Sequence, residues 1–513
     1  MTNTADNNKR IAKNTLMLYV RMFVMMGVAL FTSRVILQSL GVVDYGIYNV
    51  VAGFVSMFTF INSAMTSATQ RYIIFAIEQG GENDANEVFC VSMNIHLLIS
   101  VVFLLLAETL GLWFLNNHMV IPQSSMTAAN IVYQLSILST IALFIGVPYN
   151  ALIVAHERMS AFAYISIFDV SIKLLIAFLI FMADSHRLVI YAFLMCLSQF
   201  IIRHIYNLYC LRHFKESKFH IVRNKRLFKE LISFSGWSLF GNLASVAMGQ
   251  GVNVLLNTFF GPIVNAARGV AIQVQNAVMG FSSNLQMAIN PQITKNYASN
   301  NLQYMHKLIY ASSKYSFFLL FILCLPIILE AKIILNAWLV DVPRYTVEFL
   351  RLTLIISMIN ALAGPFTIAA HANGNIKLYQ SLVGGILLLT LPAAYLALKL
   401  GFAPISVYVV EIIVLMVAQI VRLVMMRTMI GLKLREYFKE VVFRITGVLF
   451  FGSVIPLILY LRMAADDFIS FICVSVTCVV SVGASIFTLG INKGEREKVI
   501  SFVGRRLKAW HNT

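Results

Sequence analysis

Charge is scarce in this sequence. Only 12% of its 513 residues are Asp, Glu, Lys or Arg, while 59% are hydrophobic and the mean hydropathy is +0.80. A soluble globule carries about a quarter charged residues, so that class is excluded and the chain is an integral membrane protein. Acidic residues are the scarcer sign, 22 against 39 Lys and Arg, for a net charge of +17. Cysteine is rare too: Cys90, Cys196, Cys210, Cys324, Cys473 and Cys478 sit in or beside apolar runs with no metal-type CxxC pair. That spacing argues against a disulfide framework or a zinc site and for apolar packing. There is no GxxxxGK[ST] loop, so ATP bound to this chain is not an expected energy source, and no metal or cofactor is implied. No small-residue cleavage site follows the first apolar run, which therefore reads as a retained helix.

What is abundant is long apolar runs. Polar breaks cut the chain at 15–38, 45–68, 88–110, 128–153, 159–182, 188–211, 231–257, 265–289, 311–335, 346–370, 377–399, 404–427, 441–461 and 468–490. About 20 residues cross about 30 Å of hydrocarbon as a helix, which satisfies its own backbone in lipid. The fold expected is all-α, with about fourteen transmembrane helices. Lys and Arg concentrate on one side: Lys9, Arg10 and Lys13, the loop "RHFKESKFHIVRNKRLFK", "RTMIGLKLREYFK" and the tail "KGEREKVISFVGRRLK". The opposite loops hold little beyond Arg187, Arg344, Lys399 and Arg462. This asymmetry predicts a multi-pass membrane protein with both termini cytoplasmic. The positive charge is thus a topology signal, and a nucleic-acid partner is not expected.

The chain repeats itself weakly. Setting Gly41 against Gly261 aligns "LGVVDYGIYNVVAGFVSMFTFINSAMTSATQRYI" with "FGPIVNAARGVAIQVQNAVMGFSSNLQMAINPQI", and Asn62, Thr66 and Gln70 fall on Ser282, Gln286 and Asn290. Six spans precede the basic loop, six follow, and two remain. A six-helix unit returns to its starting side, so the copies have parallel topology. The expected organisation is an N-lobe over 1–211, a basic cytoplasmic linker over 212–230, a C-lobe over 231–427, two additional helices over 428–490 and a basic tail over 491–513. Polar ladders mark the faces that meet. Arg268, Gln275, Ser282, Gln286 and Asn290 form one stripe on the eighth span; Ser238, Asn242, Ser245, Gly249, Asn253 and Asn257 form another on the seventh. For the seventh, amides and small residues gluing helices explain the stripe as well as a cavity does. The basic end of the eighth favours a cavity.

Within the spans the charges are biased positive: Arg21, Arg34, Lys173, Arg203, Arg268, Lys332, Arg351, Arg422 and Arg444 face a smaller set of acids. Each costs a few kcal/mol in lipid, roughly 3, unless a partner, water or a ligand receives it. Arg422, Arg444 and Lys332 are near enough to span ends to snorkel. Arg21 and Arg34 are about 20 Å apart in depth and about 140° apart around a straight helix, so they are candidates at two mouths of a cavity. Asp169 and Lys173 stand near mid-span one turn apart, where carboxylate and ammonium meet on one face. They form either a self-neutralising packing pair or a coupling switch centred on Asp169.

"SRVILQSLGVVDYGIYNVVAGFVSMF" resembles the first-to-second-helix signature of Wzx-type O-antigen and exopolysaccharide flippases: Leu-Gly, a short spacer, then Tyr-Gly-hydrophobic-Tyr. "FFGPIVNAARGVAIQVQNAVMGFSSNLQMAINPQITKNYAS" and the span layout extend the similarity over nearly the whole chain. The resemblance implies the multidrug/oligosaccharidyl-lipid/polysaccharide (MOP) exporter superfamily: two six-helix lobes and extra C-terminal helices. It further implies that a polyprenyl-pyrophosphate-linked oligosaccharide moves from the cytoplasmic to the outer leaflet by alternating access. One departure is plain: where the first copy has Tyr45, Gly46, Ile47, Tyr48 and Asn49, the second has Asn265, Ala266, Ala267, Arg268 and Gly269. The charge bias suits that cargo, since Arg binds pyrophosphate bidentately and amides bind sugars. Candidate substrate-binding residues in a cationic central cleft are therefore Arg21, Arg34, Lys173, Arg203, Arg268, Arg351, Gln275 and Gln286. The expected partners are the lipid-linked glycan, membrane lipids and a coupling proton or sodium ion. The alternatives are an ion-coupled drug exporter of the same superfamily, against which the first span's lack of an acid argues, and a membrane-embedded glycan-modifying enzyme, for which the outer loops are short.

Overall fold

The computed structural model describes residues 4–56, 60–117, 121–183, 186–339, 342–463, 468–492 and 494–497. Regular structure among them is helical: α1 Thr4–Ser56, α2 Phe60–Gln79, α3 Glu82–Leu106, α4 Leu112–Asn117, α5 Met126–Ala155, α6 Met159–Phe181, α7 Arg187–His213, α8 Lys225–Phe260 and α9 Pro262–Ala298. There follow α10 Leu302–Leu329, α11 Ala331–Trp338, α12 Thr346–Asn373, α13 Ile376–Leu388, α14 Thr390–Lys399, α15 Ile405–Ile430, α16 Leu434–Tyr437, α17 Phe443–Arg462 and α18 Phe468–Ser485. Among the described residues twelve helical segments are long and apolar enough to cross a membrane. Two of the fourteen runs read from the sequence are not among them. The run 45–68 crosses residues outside the description, and 265–289 carries the ladder of Arg268, Gln275, Ser282, Gln286 and Asn290, which dilutes its hydropathy.

Those two segments share a further feature. α1 is helical throughout except at Gly41, where φ is +75°, and α8 ends against α9 at Gly261, where φ is +77°. Side chains on L-residues resist that conformation and glycine does not. The two glycines paired by the sequence repeat thus make the same left-handed break between consecutive helices.

Contacts divide the chain into two compact units. The first gathers Met1–Leu243, Met287–Asn301 and His371–Ser381; the second gathers Ala244–Gln286, Leu302–Ala370 and Leu382–Thr513. In the first, Leu18, Ile73, Phe89, Ile153, Met159 and Phe214 are buried in one cluster that also takes in Ala288. A second cluster joins Val51, Phe103, Tyr133 and Leu188. A π-helical turn over Ala107–Gly111 separates α3 from α4, and the Tyr133 hydroxyl donates to the Ala107 carbonyl at 2.8 Å. A π-turn frees such carbonyls, so the tyrosine satisfies one. In the second unit Phe317, Phe318 and Phe321 of α10 are buried. A Cβ added to Gly452 or Gly490 would meet Phe321 at 3.3 Å or Phe318 at 2.8 Å. Outward-facing side chains such as Phe168, Leu175, Phe178 and Leu179 on α6 are exposed and apolar, as a lipid-facing surface requires.

Candidate functional site

Two adjoining cavities lie in the first unit. One, of about 230 Å³, is lined by Asn62 and Thr66 of α2, Asn150 of α5 and Gln199, Arg203 and Tyr206 of α7. The other, of about 400 Å³, is lined by Tyr48 of α1, Ser136, Ser139 and Thr140 of α5, and Asp169 and Lys173 of α6. Leu143 and Gln199 line both. The polar groups converge for a simple reason. Gln199, Arg203 and Tyr206 are spaced by four and three, which places them on one face of α7.

Lys173 Nζ donates to Asp169 Oδ2 at 2.7 Å, with the two side chains 31% and 19% exposed. The lysine keeps N–H groups for another acceptor. Arg21 lines neither cavity. Its guanidinium carbon is 4.5 Å from the Phe162 ring centre, its Nε is buried with no acceptor among the described residues, and it neighbours Tyr206, which is hydrogen-bonded to Ser166 and Asn150. Arg21 and Arg203 thus flank one tyrosine. The side chain of Arg34 lies outside the described residues.

The other predicted residues lie in the second unit, each engaged differently. Arg268 is 7% exposed; its Nε donates to Asn253 Oδ1 at 2.6 Å and its Nη2 to the Gly249 carbonyl at 3.3 Å, and its guanidinium sits 5.6 Å from the Tyr408 ring. Glu411, also buried, is its electrostatic neighbour. At this rung the ladders of α8 and α9 meet each other. Gln286 Nε2 donates to Ser316 Oγ at 3.2 Å and to the Ala361 carbonyl at 2.9 Å, tying α9 to α10 and α12. Arg351 donates to the carbonyls of Ile328 and Leu329 at 2.9 and 3.4 Å, capping the C-terminus of α10, where partial negative charge collects. Gln275 is half-buried on α9. Arg422 does not snorkel: it is 6% exposed, and its Nη1 donates to Gln419 Oε1 at 3.4 Å.

Two residues not singled out in the sequence organise the first unit. Arg71 lies 4.9, 4.6 and 5.2 Å from the rings of Tyr72, Phe75 and Phe234, and its Nη2 donates to the Ala372 carbonyl at 3.3 Å. A desolvated guanidinium held by aromatic faces and a helix-end carbonyl is a stabilising arrangement. It follows Gln70 directly, and the aromatic pattern "RYIIF" was its signal. Glu157, in the short turn between α5 and α6, has a side chain 3% exposed. It takes Arg10 Nε at 2.8 Å and the Gln292 amide at 2.6 Å, while Asn14 donates to its carbonyl at 3.2 Å. Beside it, Lys295 pairs with Glu78 at 2.5 Å and Gln79 donates to the Ala298 carbonyl at 2.7 Å. Burial pushes the Glu157 carboxyl above the usual range, against the pull of Gln292, Arg10 and Lys295. Glu216 goes the other way. Burial would raise it, but the His156 hydrogen bond, a backbone N–H and Lys215 together hold it below the usual range.

No curated protein matches the sequence at a significant level. Solved structures share its fold. A MATE point mutant matches with a TM-score of 0.72 at 13% identity, over 82% of this chain and 96% of that one. An outward-facing multidrug resistance MATE transporter of the MOP superfamily matches at 0.70 and 13%, over 84% and 99%. A MOP-superfamily transporter from Pyrococcus furiosus, described as having a binding pocket of reversed polarity, matches at 0.68 and 12%, over 82% and 96%. At such identities these likenesses establish the fold, that of MATE-like membrane transporters. The model of the family described as "Polysaccharide biosynthesis protein" matches residues 11–283, more than half of the chain, and the chain therefore belongs to that family, as its resemblance to Wzx-type flippases implied.

Proposed function

We propose that this transporter flips a polyprenyl-pyrophosphate-linked oligosaccharide from the cytoplasmic to the outer leaflet of a bacterial inner membrane by alternating access, for cell-surface polysaccharide synthesis. Both termini are then cytoplasmic, as the distribution of Lys and Arg argues. The observation that carries the proposal is the chemistry of the two adjoining cavities. Arg203 and Lys173 supply positive charge, their one carboxylate, Asp169, is already bonded to Lys173, and the remaining polar lining is amide and hydroxyl. Cations bind a pyrophosphate by charge-assisted hydrogen bonds, while Asn62, Asn150, Gln199 and the serines of α5 offer the mixed donors and acceptors that sugars use. A cationic drug would meet net repulsion there.

Arg21 adds positive charge beside Tyr206, whose hydroxyl is held by Ser166 and Asn150. Asp169 is the coupling group: protonation would free Lys173 for the pyrophosphate, and its release would restore the pair. The test is flipping of a lipid-linked oligosaccharide in reconstituted vesicles. Arg203→Ala and Lys173→Ala should each slow it about tenfold or more, consistent with the loss of one charge-assisted hydrogen bond. Flipping at the parental rate in both variants would remove these cavities from the pathway.

A further inference from the structure

A third cavity in the first unit is separate from the two above. It measures about 460 Å³ and is lined by Arg226, Lys229, Glu230 and Trp237 of α8, by Lys377 of α13 and by the Gly374–Asn375 turn. Its charge is three cations against one acid, and Glu230 is bonded to Arg226 at 3.0 Å. Lys229 and Lys377 have no carboxylate partner among the described residues. Lys377 Nζ stands 5.2 Å over the Trp237 ring, which orients the ammonium without neutralising it.

Its position gives the charge a meaning. Lys225 and Ile376 are the first residues of two helical segments long and apolar enough to cross a membrane, Lys225–Phe260 and Ile376–Lys399, so the cavity lies at the ends from which both would enter it. Further along the same helices, Phe240 of α8, three residues beyond Trp237 on the same face, and Leu378 of α13, next to Lys377, are exposed apolar side chains. Cations and an indole at headgroup depth, followed by apolar surface, match a molecule with an anionic head and a hydrocarbon tail. A free anion would not use the apolar part, and a soluble acidic protein could not reach it.

We propose that this cavity is a docking site for a lipid of the cytoplasmic leaflet with a net-anionic phosphate headgroup, the phosphate lying between Arg226, Lys229 and Lys377 and the tail against α8 and α13. The site needs the membrane placement argued above but not the cargo assignment. Two lipids share the chemistry, an isoprenoid diphosphate and a bulk anionic phospholipid.

The full-length protein in nanodiscs is titrated with polyprenyl diphosphate, with phosphatidylglycerol and with phosphatidylcholine, and bound lipid is counted by native mass spectrometry. The parent should retain one or both anionic lipids over the zwitterionic phosphatidylcholine. Since a basic residue near an anionic headgroup is worth about fivefold, Lys229→Ala with Lys377→Ala should weaken retention about 25-fold. A loss confined to polyprenyl diphosphate identifies a cargo entry site, and an equal loss of both anionic lipids identifies a general headgroup site. Both lysines are exposed, so folding should be preserved; Lys229→Arg with Lys377→Arg, which keeps the charge, should retain lipid as the parent does. Undiminished retention in the alanine pair, or equal retention of phosphatidylcholine by the parent, overturns the proposal. Because lipid retention is read without transport, loss of flipping with intact retention would count against the proposed function alone.

Discussion

Replacing Glu157 by alanine should loosen one local joint and leave the rest of the first unit folded. Its carboxylate accepts from Gln292, itself fully buried, and from Arg10, whose side chain is 41% exposed. In Glu157→Ala the Gln292 amide loses its acceptor in a place water does not reach, which costs about 1–3 kcal/mol. Losing the ion pair adds under about 1 kcal/mol, because the half-exposed guanidinium is rehydrated. Removing a buried charge returns part of its desolvation penalty. The net is about 2 kcal/mol, roughly a 30-fold shift in an opening equilibrium. Hydrogen exchange followed by mass spectrometry reads such openings segment by segment. Amides at the end of α9, over residues 292–298, should exchange about 30-fold faster in Glu157→Ala, with partial recovery in Glu157→Gln, whose carbonyl still accepts. Unchanged protection there would refute the assigned role of the carboxylate. A rise spread evenly over the chain would mean the residue supports the whole fold and not this joint.

Two further predictions concern pH and backbone. The raised Glu157 carboxyl binds protons more tightly when folded, so its contribution is greatest below the ordinary value of 4.5 and is lost as pH rises toward its folded value. Glu216, depressed by His156, contributes above 4.5 and loses that contribution as pH falls through its folded value. Thermal unfolding in detergent across acid pH should show Glu157→Gln flattening the first slope and Glu216→Gln the second; slopes that survive both substitutions would assign the dependence elsewhere. Gly374 has φ +88°, and a Cβ there would stand 2.4 Å from Arg71 Nη2, so Gly374→Ala should cost about 1–3 kcal/mol. Combined with Arg71→Ala its cost should be less than additive, and full additivity would show that the two do not meet.

The membrane class and the helical spans were legible in the sequence, because hydropathy and helix length are local properties of the chain; the repeat paired Gly41 with Gly261, but the positive φ at both came only from the structure. Also legible was the bond between Lys173 and Asp169, since four residues on a helix make neighbours of them. Which helix faces meet was decided only by the tertiary structure. A polar stripe marks a face that avoids lipid, yet it carries nothing to distinguish a partner helix from a cavity. Thus Arg268 bonds Asn253 and Gln286 bonds Ser316 and Ala361, whereas Gln199 and Arg203 line open space. Glu157 and Gln292 stand 135 residues apart, and no helical period links them. Their pairing follows from how whole helices pack, a long-range balance of shape and desolvation that no local pattern encodes.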